Sequence, residues 1–248
     1  MASEKDTPAA RRGGGRAAPK GAADRTASDA ALRPRAFALL RELEANNERD
    51  WYAAHKAELR AELLDPFEAL LGAVTARLAR TAVPLQGSRK TMYRMHRDVR
   101  FSANKLPYKL HVSGLLTPDG TKRETDGIVY LHCDAKGGFV AAGFYLPETA
   151  WLEPVRRRMI EEPKAWTKVL RALARADLEL DREHALRSMP RGFSHANDHE
   201  HAESVKLKSL IVSRRLAPKA WKDGTVVDAT VAMARQARAL IEFAREAG

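Results

Sequence analysis

The hydrophobic residues of this chain change their spacing twice, from helical to alternating and back to helical, and that order constrains the fold more than any other feature. Ala36, Leu39, Leu40 and Leu43 share one face of a helix, which the Asn46-Asn47 pair should close. A second helix is expected from Glu48 past Trp51 and Leu59, with Pro66 permitting a new start. Phe67, Leu70, Leu71, Val74 and Leu78 then form the cleanest apolar stripe in the chain, and it should face a core. After Pro84 the spacing turns alternating or β-branched over residues 91–101, 108–117, 127–133 and 139–146, with Lys136-Gly137-Gly138 as a hairpin turn. Helical spacing returns after Pro147, first with Trp151, Val155 and Met159, then with Trp166, Val169, Leu170 and Leu173. Residues 209–215 read as one more strand, and 225–247 as a closing helix with Val227, Val231, Ala234 and Ile241 on one side. Helices, then strands, then helices predict an α+β fold: a single domain with an antiparallel β-meander flanked by N- and C-terminal helices.

Residues 1–31 stand apart. They are basic and rich in Ala, Gly and Arg, with no large apolar residue to offset chain entropy, so a disordered tail is expected there and a single α+β domain over 32–248. The chain carries 43 Lys and Arg against 32 Asp and Glu, a formal +11. Such a balance favours anionic partners: a small anionic ligand first, nucleic acid as a candidate, and no membrane, since no apolar run is long enough to span one. The single cysteine, Cys133, supplies no disulfide and no metal or redox pair. With no secretory signal pattern, a cytoplasmic location is expected; Glu4, Asp6, Asp24 and Asp29 argue against an organelle transit peptide. No P-loop, dinucleotide fingerprint or nucleophile elbow is present, and no cofactor is implied.

The densest information lies in residues 89–111, where seven Lys or Arg accompany one acid, Asp98. Read as a strand, the segment sends Arg94, His96, Asp98 and Arg100 to one side and Tyr93, Met95, Arg97, Val99 and Phe101 to the other. Read as a helix, it groups Arg94, Arg97 and Phe101; the strand is the preferred reading. Asp98 between arginines should be ionised with a depressed pKa and should orient a guanidinium fork. Pro107 and its neighbours have turn chemistry, which would fold Lys105, Tyr108 and Lys109 back over the arginines. The bland alternative is a solvated charged strand with a plain salt bridge.

The spacing Arg94-x-x-Arg97-Asp98-x-Arg100-Phe101-Ser102-x-x-Lys105-x-Pro107-Tyr108-Lys109 resembles the signature of the Domain of Unknown Function 2461 family, found mainly in bacteria and some fungi. Asn46-Asn47-x-x-x-Trp51 resembles that family's opening motif, and Gly143-Phe144-Tyr145-Leu146-Pro147 followed by Arg156 its middle. Arg191-Gly192-Phe193, Asp198-His199 and Lys206-Leu207-Lys208 resemble its carboxy-terminal third, with Glu200 in place of a proline. The resemblance spans residues 35–245. It implies a shared fold and a shared site, and no reaction, because the family has no established activity.

The leading expectation is therefore a basic cleft for a small anionic ligand, phosphorylated or nucleotide-like, with phosphoryl-group hydrolysis or transfer as the chemistry it would suit. Arg94, Arg97 and Arg100 would grip the anion, Asp98 would orient them, and Lys105, Tyr108 and Lys109 would close the site, with Trp51 kept as a ligand-binding candidate. Asp98 and Tyr108 are weak catalytic candidates, and the question of an enzyme stays open. Two alternatives stand beside this reading: a non-specific nucleic-acid-binding module, and a structural or partner-binding protein whose motif is an ion-pair network. His195, His199 and His201 with Asp198, Glu200 and Glu203 invite a metal site, but a polar loop entering a helix explains them as well, and no metal is assigned.

Overall fold

The protein's structure is a computed structural model that describes residues 31–123 and 127–247. Residues 1–30, which hold almost all of the expected tail, lie outside the described residues. Helix α1 (Pro34–Ala45) starts on a proline whose missing N–H costs nothing in the first turn, and it buries Ala36, Phe37, Leu39, Leu40 and Leu43. It stops where expected, because the Asn46 side chain competes for the Glu42 carbonyl at 2.9 Å. Helix α2 (Arg49–Leu59) does not break before Pro66. It widens into a π-helical turn at Arg60–Leu64 and continues as α3 (Asp65–Leu78), the wider turn making room for a proline ring that has no N–H to donate. All five apolar residues of the α3 stripe are buried.

Four strands follow: β1 (His111–Leu116), β2 (Ile128–Asp134), β3 (Gly137–Phe144) and β4 (Leu210–Arg215). They form one antiparallel sheet in the order β1-β2-β3-β4. The β2–β3 hairpin turns where the sequence pattern put it. Gly138 has φ +126, and a side chain there would collide with the carbonyl of His132. Between β3 and β4 run α4 (Thr149–Glu161), α5 (Pro163–Ala174) and the short α6 (Ala202–Val205). After β4 come α7 (Pro218–Lys222), α8 (Val226–Gln236) and α9 (Arg238–Arg245). The architecture is α+β with a single antiparallel sheet.

Burial alternates residue by residue along β2, as an antiparallel sheet with one covered face requires. Val112, Val129, Leu131, Cys133, Val140 and Val212 are buried toward α3 and α7–α9. His111, Ser113, Leu115, Tyr130, His132, Phe139 and Ser213 point the other way, in register across the four strands.

Two expectations are corrected. The closing helix is two helices, because Ala237 takes a shallow turn (φ −80, ψ −4) that swings Phe243 onto Trp166 of α5, with ring centroids 5.0 Å apart. Residues 91–101 are neither the preferred strand nor a helix. Ser88 and Thr91 close a 3-10 turn over Arg89–Thr91 through a reciprocal capping box, which removes the first residue from any ladder. Only single bridges remain beyond it, Met92 with Gly114 and His96 with Tyr108.

Candidate functional site

Past the 3-10 turn the chain runs extended beside residues 107–114. Tyr93 N donates to Ser113 O at 2.9 Å, Lys109 N to Met95 O at 2.7 Å, and Arg97 N to Pro107 O at 2.8 Å. Pro107 has no N–H to return, and the pairing ends there. Asn47, at the start of α2, fixes the register from the far side: its side chain both accepts from Tyr108 N and donates to Tyr108 O, each at 3.0 Å. The opening motif noticed in the sequence thus holds the central one in place.

Residues 98–106 close into a loop held by its own polar groups. Asp98 grips Arg100 through Nε at 3.0 Å and NH2 at 2.7 Å, and also accepts from the Arg100 backbone N–H. These bonds hold the Asp98 carboxyl below its ordinary range, with a smaller contribution from Arg94, as the sequence led one to expect. Lys105 donates to the carbonyl of Val99 at 3.1 Å, and Arg97 to Leu106 O at 3.3 Å and Ser102 Oγ at 3.4 Å. Phe101 is 96% exposed at the loop's tip. The motif contains one exposed ion pair, Asp98–Arg100, and no buried network among the described residues.

Because the segment is not a regular strand, Arg94 and Arg97 do not separate onto opposite sides. Both lie close enough to Lys109 to depress its pKa, together with Lys122; partial burial of the ammonium is the larger cause. Lys122 also donates to Met92 O at 3.0 Å, and Lys109 and Lys122 sit 5.1 and 5.6 Å from the centre of the Tyr93 ring. Among the described residues no carboxylate lies within ion-pair distance of Arg94, Arg97, Lys109 or Lys122.

Of these cations Lys109 lines a groove of about 620 Å³ that occupies the open face of the sheet. Its floor carries Leu115, Tyr130, Phe139 and Ala141, with the hydroxyls of Ser113 and Ser213 between them. Tyr93 and Lys109 wall it near β1, and Arg215, Asp181 and Glu183 near β4. Tyr130 and Phe139 lie 5.7 Å apart, and Phe139 stacks on His132 at 4.8 Å. His132 in turn stacks on His111 at 4.0 Å and lies 3.2 Å from the Tyr130 hydroxyl. Burial pushes His111 down to about 4, with His132 and Lys109 adding to the effect, and burial lowers His132 as well. Both rings are neutral near pH 7. Burial also raises Tyr93 and Tyr130 above the usual phenol range.

Of the ligand-binding candidates named from the sequence, Lys109 alone lines the groove, with Arg94 and Arg97 in electrostatic reach of it. Arg100 and Lys105 are engaged within the loop, and Tyr108 is buried, stacked on Tyr52 at 3.9 Å. Trp51 stacks on His55 of its own helix at 4.1 Å. His199 and His201 stay close, with ring centroids 5.6 Å apart, but His199 Nδ1 accepts from the His201 N–H and His201 Nε2 lies 3.0 Å from both Thr167 Oγ1 and Pro163 O. No group of three or more metal-ligating side chains is assembled among the described residues. Sequence reasoning missed Lys122, Arg215, Tyr130, Phe139 and the two serines. The signal for the last four was the alternation itself, since every second residue of β1 to β4 had to face away from the helices.

Fold and site together define an α+β protein whose antiparallel sheet is covered by helices on one face and grooved on the other, with Lys109 and Arg215 among the residues that line the groove. The family model described as Conserved hypothetical protein (DUF2461) matches residues 35–243, and the chain belongs to that family. No curated protein and no solved structure matches it. Among the described residues no helix is long and apolar enough to cross a membrane.

Proposed function

We propose that the open face of the sheet binds a small anionic ligand of phosphorylated or nucleotide-like character. One observation carries this reading: Lys109, half-buried on the groove wall, feels the charges of Arg94, Arg97 and Lys122 and has no carboxylate within salt-bridge distance among the described residues. Like charges held together in a partly desolvated place are unfavourable until an anion joins them. The floor complements that anion. Tyr130 and Phe139 offer ring faces to a base or another flat group, and Ser113 and Ser213 offer hydroxyls to a sugar. Chemistry at phosphorus, hydrolysis or transfer, is the reaction such a groove would suit, with stabilisation of developing charge by the cations as its main contribution. Asp98, tied to Arg100, is a poor base for it; Asp181 and Glu183 are the carboxylates that border the groove. A cytoplasmic setting, rich in phosphorylated metabolites, accords with this reading.

A second reading rests on the exposed loop tip, where the ring of Phe101, 96% exposed beside the Arg100 guanidinium, offers an aromatic face to a nucleic-acid strand. Thermal unfolding of the protein and its Lys109→Met variant with inorganic phosphate, AMP, sugar phosphates and short oligonucleotides, at two salt concentrations, separates the two. A small phosphate at a hundredfold excess over its dissociation constant should raise the midpoint by about 5 to 10 °C, survive salt and lose its effect in the variant. A rise from oligonucleotides only, erased by salt, favours the second reading. A flat response throughout refutes both.

A further inference from the structure

Leu152, Val155, Arg156 and Met159 are the buried residues of α4, so an arginine occupies a place in an apolar stripe. Arg156 is 4% exposed. Its NH2 donates to Leu207 O at 2.8 Å, its sole hydrogen bond among the described residues, and its buried Nε has no partner. A guanidinium presents five N–H donors and does not escape burial by losing its proton. Left like this, the group combines a desolvated charge with unmet donors, a combination proteins rarely keep without a reason.

Arg156 lines a second cavity, of about 520 Å³, and the other charged residues that line it are Arg191 and Lys208. Among the described residues no carboxylate lines it; Thr149 and Ser188 do. The rest of the wall is apolar, including Leu152, Leu186 and Met189. Three segments far apart in sequence meet here: the end of β3 running into α4, residues 186–191, and Lys208 just before β4. Leu146, on the rim, keeps a left-handed backbone (φ +44) with its N–H bonded to Ser209 Oγ at 3.0 Å. The cavity shares no cation with the groove. Tyr145 borders the groove and Leu146 the cavity, while Asp181 and Glu183 border the groove and Leu186 to Arg191 the cavity, so one strand end and one loop separate them.

We propose that this second cavity binds a small organic oxyanion, a phosphate monoester or carboxylate with an apolar body, whose oxygens take the terminal guanidinium N–H groups of Arg156 that Leu207 O leaves open, Nε itself being enclosed by protein. Arg191 and Lys208 meet the same charge from the cavity's mouth, and the apolar wall takes the body of the ligand. Arginine suits the buried position because its planar fork can make two parallel bonds to either oxyanion.

The test is thermal unfolding with phenyl phosphate, phenylacetate and, as a neutral control, benzyl alcohol. The wild type should gain about 5 to 10 °C with at least one of the two anions at a hundredfold excess over its dissociation constant, and nothing comparable with the alcohol. Which anion acts distinguishes phosphate from carboxylate. In the Lys109→Met background, which silences the groove, Arg156→Met should abolish the shift; alone and without ligand it should unfold no lower than the wild type, because an uncompensated charge has been replaced by an apolar side chain of similar length. Lys109→Met should keep the shift, which separates this cavity from the groove. No shift in the wild type, a shift that survives in the variant carrying both Lys109→Met and Arg156→Met, or one lost in Lys109→Met alone overturns the proposal. A lower midpoint for Arg156→Met together with no anion effect assigns the arginine a packing role through Leu207. Should Arg156→Met not fold, the exposed pair Arg191→Ala and Lys208→Ala carries the test, and an undiminished shift in the double variant overturns the proposal.

Discussion

The two faces of the sheet are made by the same four strands, yet they serve opposite ends. Leu131 and Tyr130 are neighbours in β2: one is fully buried against the helices, the other faces the groove with its hydroxyl near His132. On the covered face the residues are aliphatic or small and have no chemistry to offer. On the open face histidines, tyrosines, serines and a phenylalanine crowd together without a second layer above them. Stability and recognition are therefore interleaved at a spacing of one residue, and a change of face matters more than a change of strand.

The sharpest way to break this comparison is to truncate both neighbours. Leu131→Ala should cost about 2 to 5 kcal/mol in urea unfolding, whereas Tyr130→Phe should cost roughly 1 kcal/mol or less and keep the ring face offered to the ligand. Equal losses would mean that the open face is core after all. A smaller effect is expected from pH. The unfolded chain protonates His111 near 6.5 and the folded one only near 4, so the unfolded state binds the extra proton between these values. This contribution to stability is whole above about pH 6.5 and declines as pH falls toward 4. Melting curves across that window should show the decline, and His111→Gln should flatten it; an unchanged slope would mean that the stacked imidazoles are well hydrated. The smallest change in stability belongs to Lys109→Met. Removing one of several like charges should leave the unliganded protein unchanged or firmer by at most about 1 kcal/mol, and a clear loss of stability would show that the cation is already paired.

Much of this was legible in the residues. The stripe of α3 and the alternation of β2 follow from periodicity alone, because each buries one side of a regular element. The break between α8 and α9 was not, since apolar spacing continues through Ala237 and only packing against Trp166 turns the chain. Residues 91–101 misled for a different reason. Their alternation was real, but Ser88, Pro107 and Asp98 redirect the backbone hydrogen bonds that a strand would need. Of the site, the basic segment and its depressed aspartate could be read in advance, but which cations remain free could not. Arg100 and Lys105 turn inward to their own loop, and Lys122 arrives from a stretch that carries no motif. Arg156 left a clear trace, an arginine on the apolar side of a helix, which weighed little until its lack of partners was visible.

Cys133 gives the covered face a practical consequence. It is the chain's one thiol, fully buried near the end of the inner strand β2 and kept protonated by that burial. An alkylating reagent cannot reach it until strands and helices part, so the pace of its labelling is a built-in clock for the opening of the sheet. That clock needs no engineered probe, and it runs on the side of the molecule that no ligand of the groove would touch.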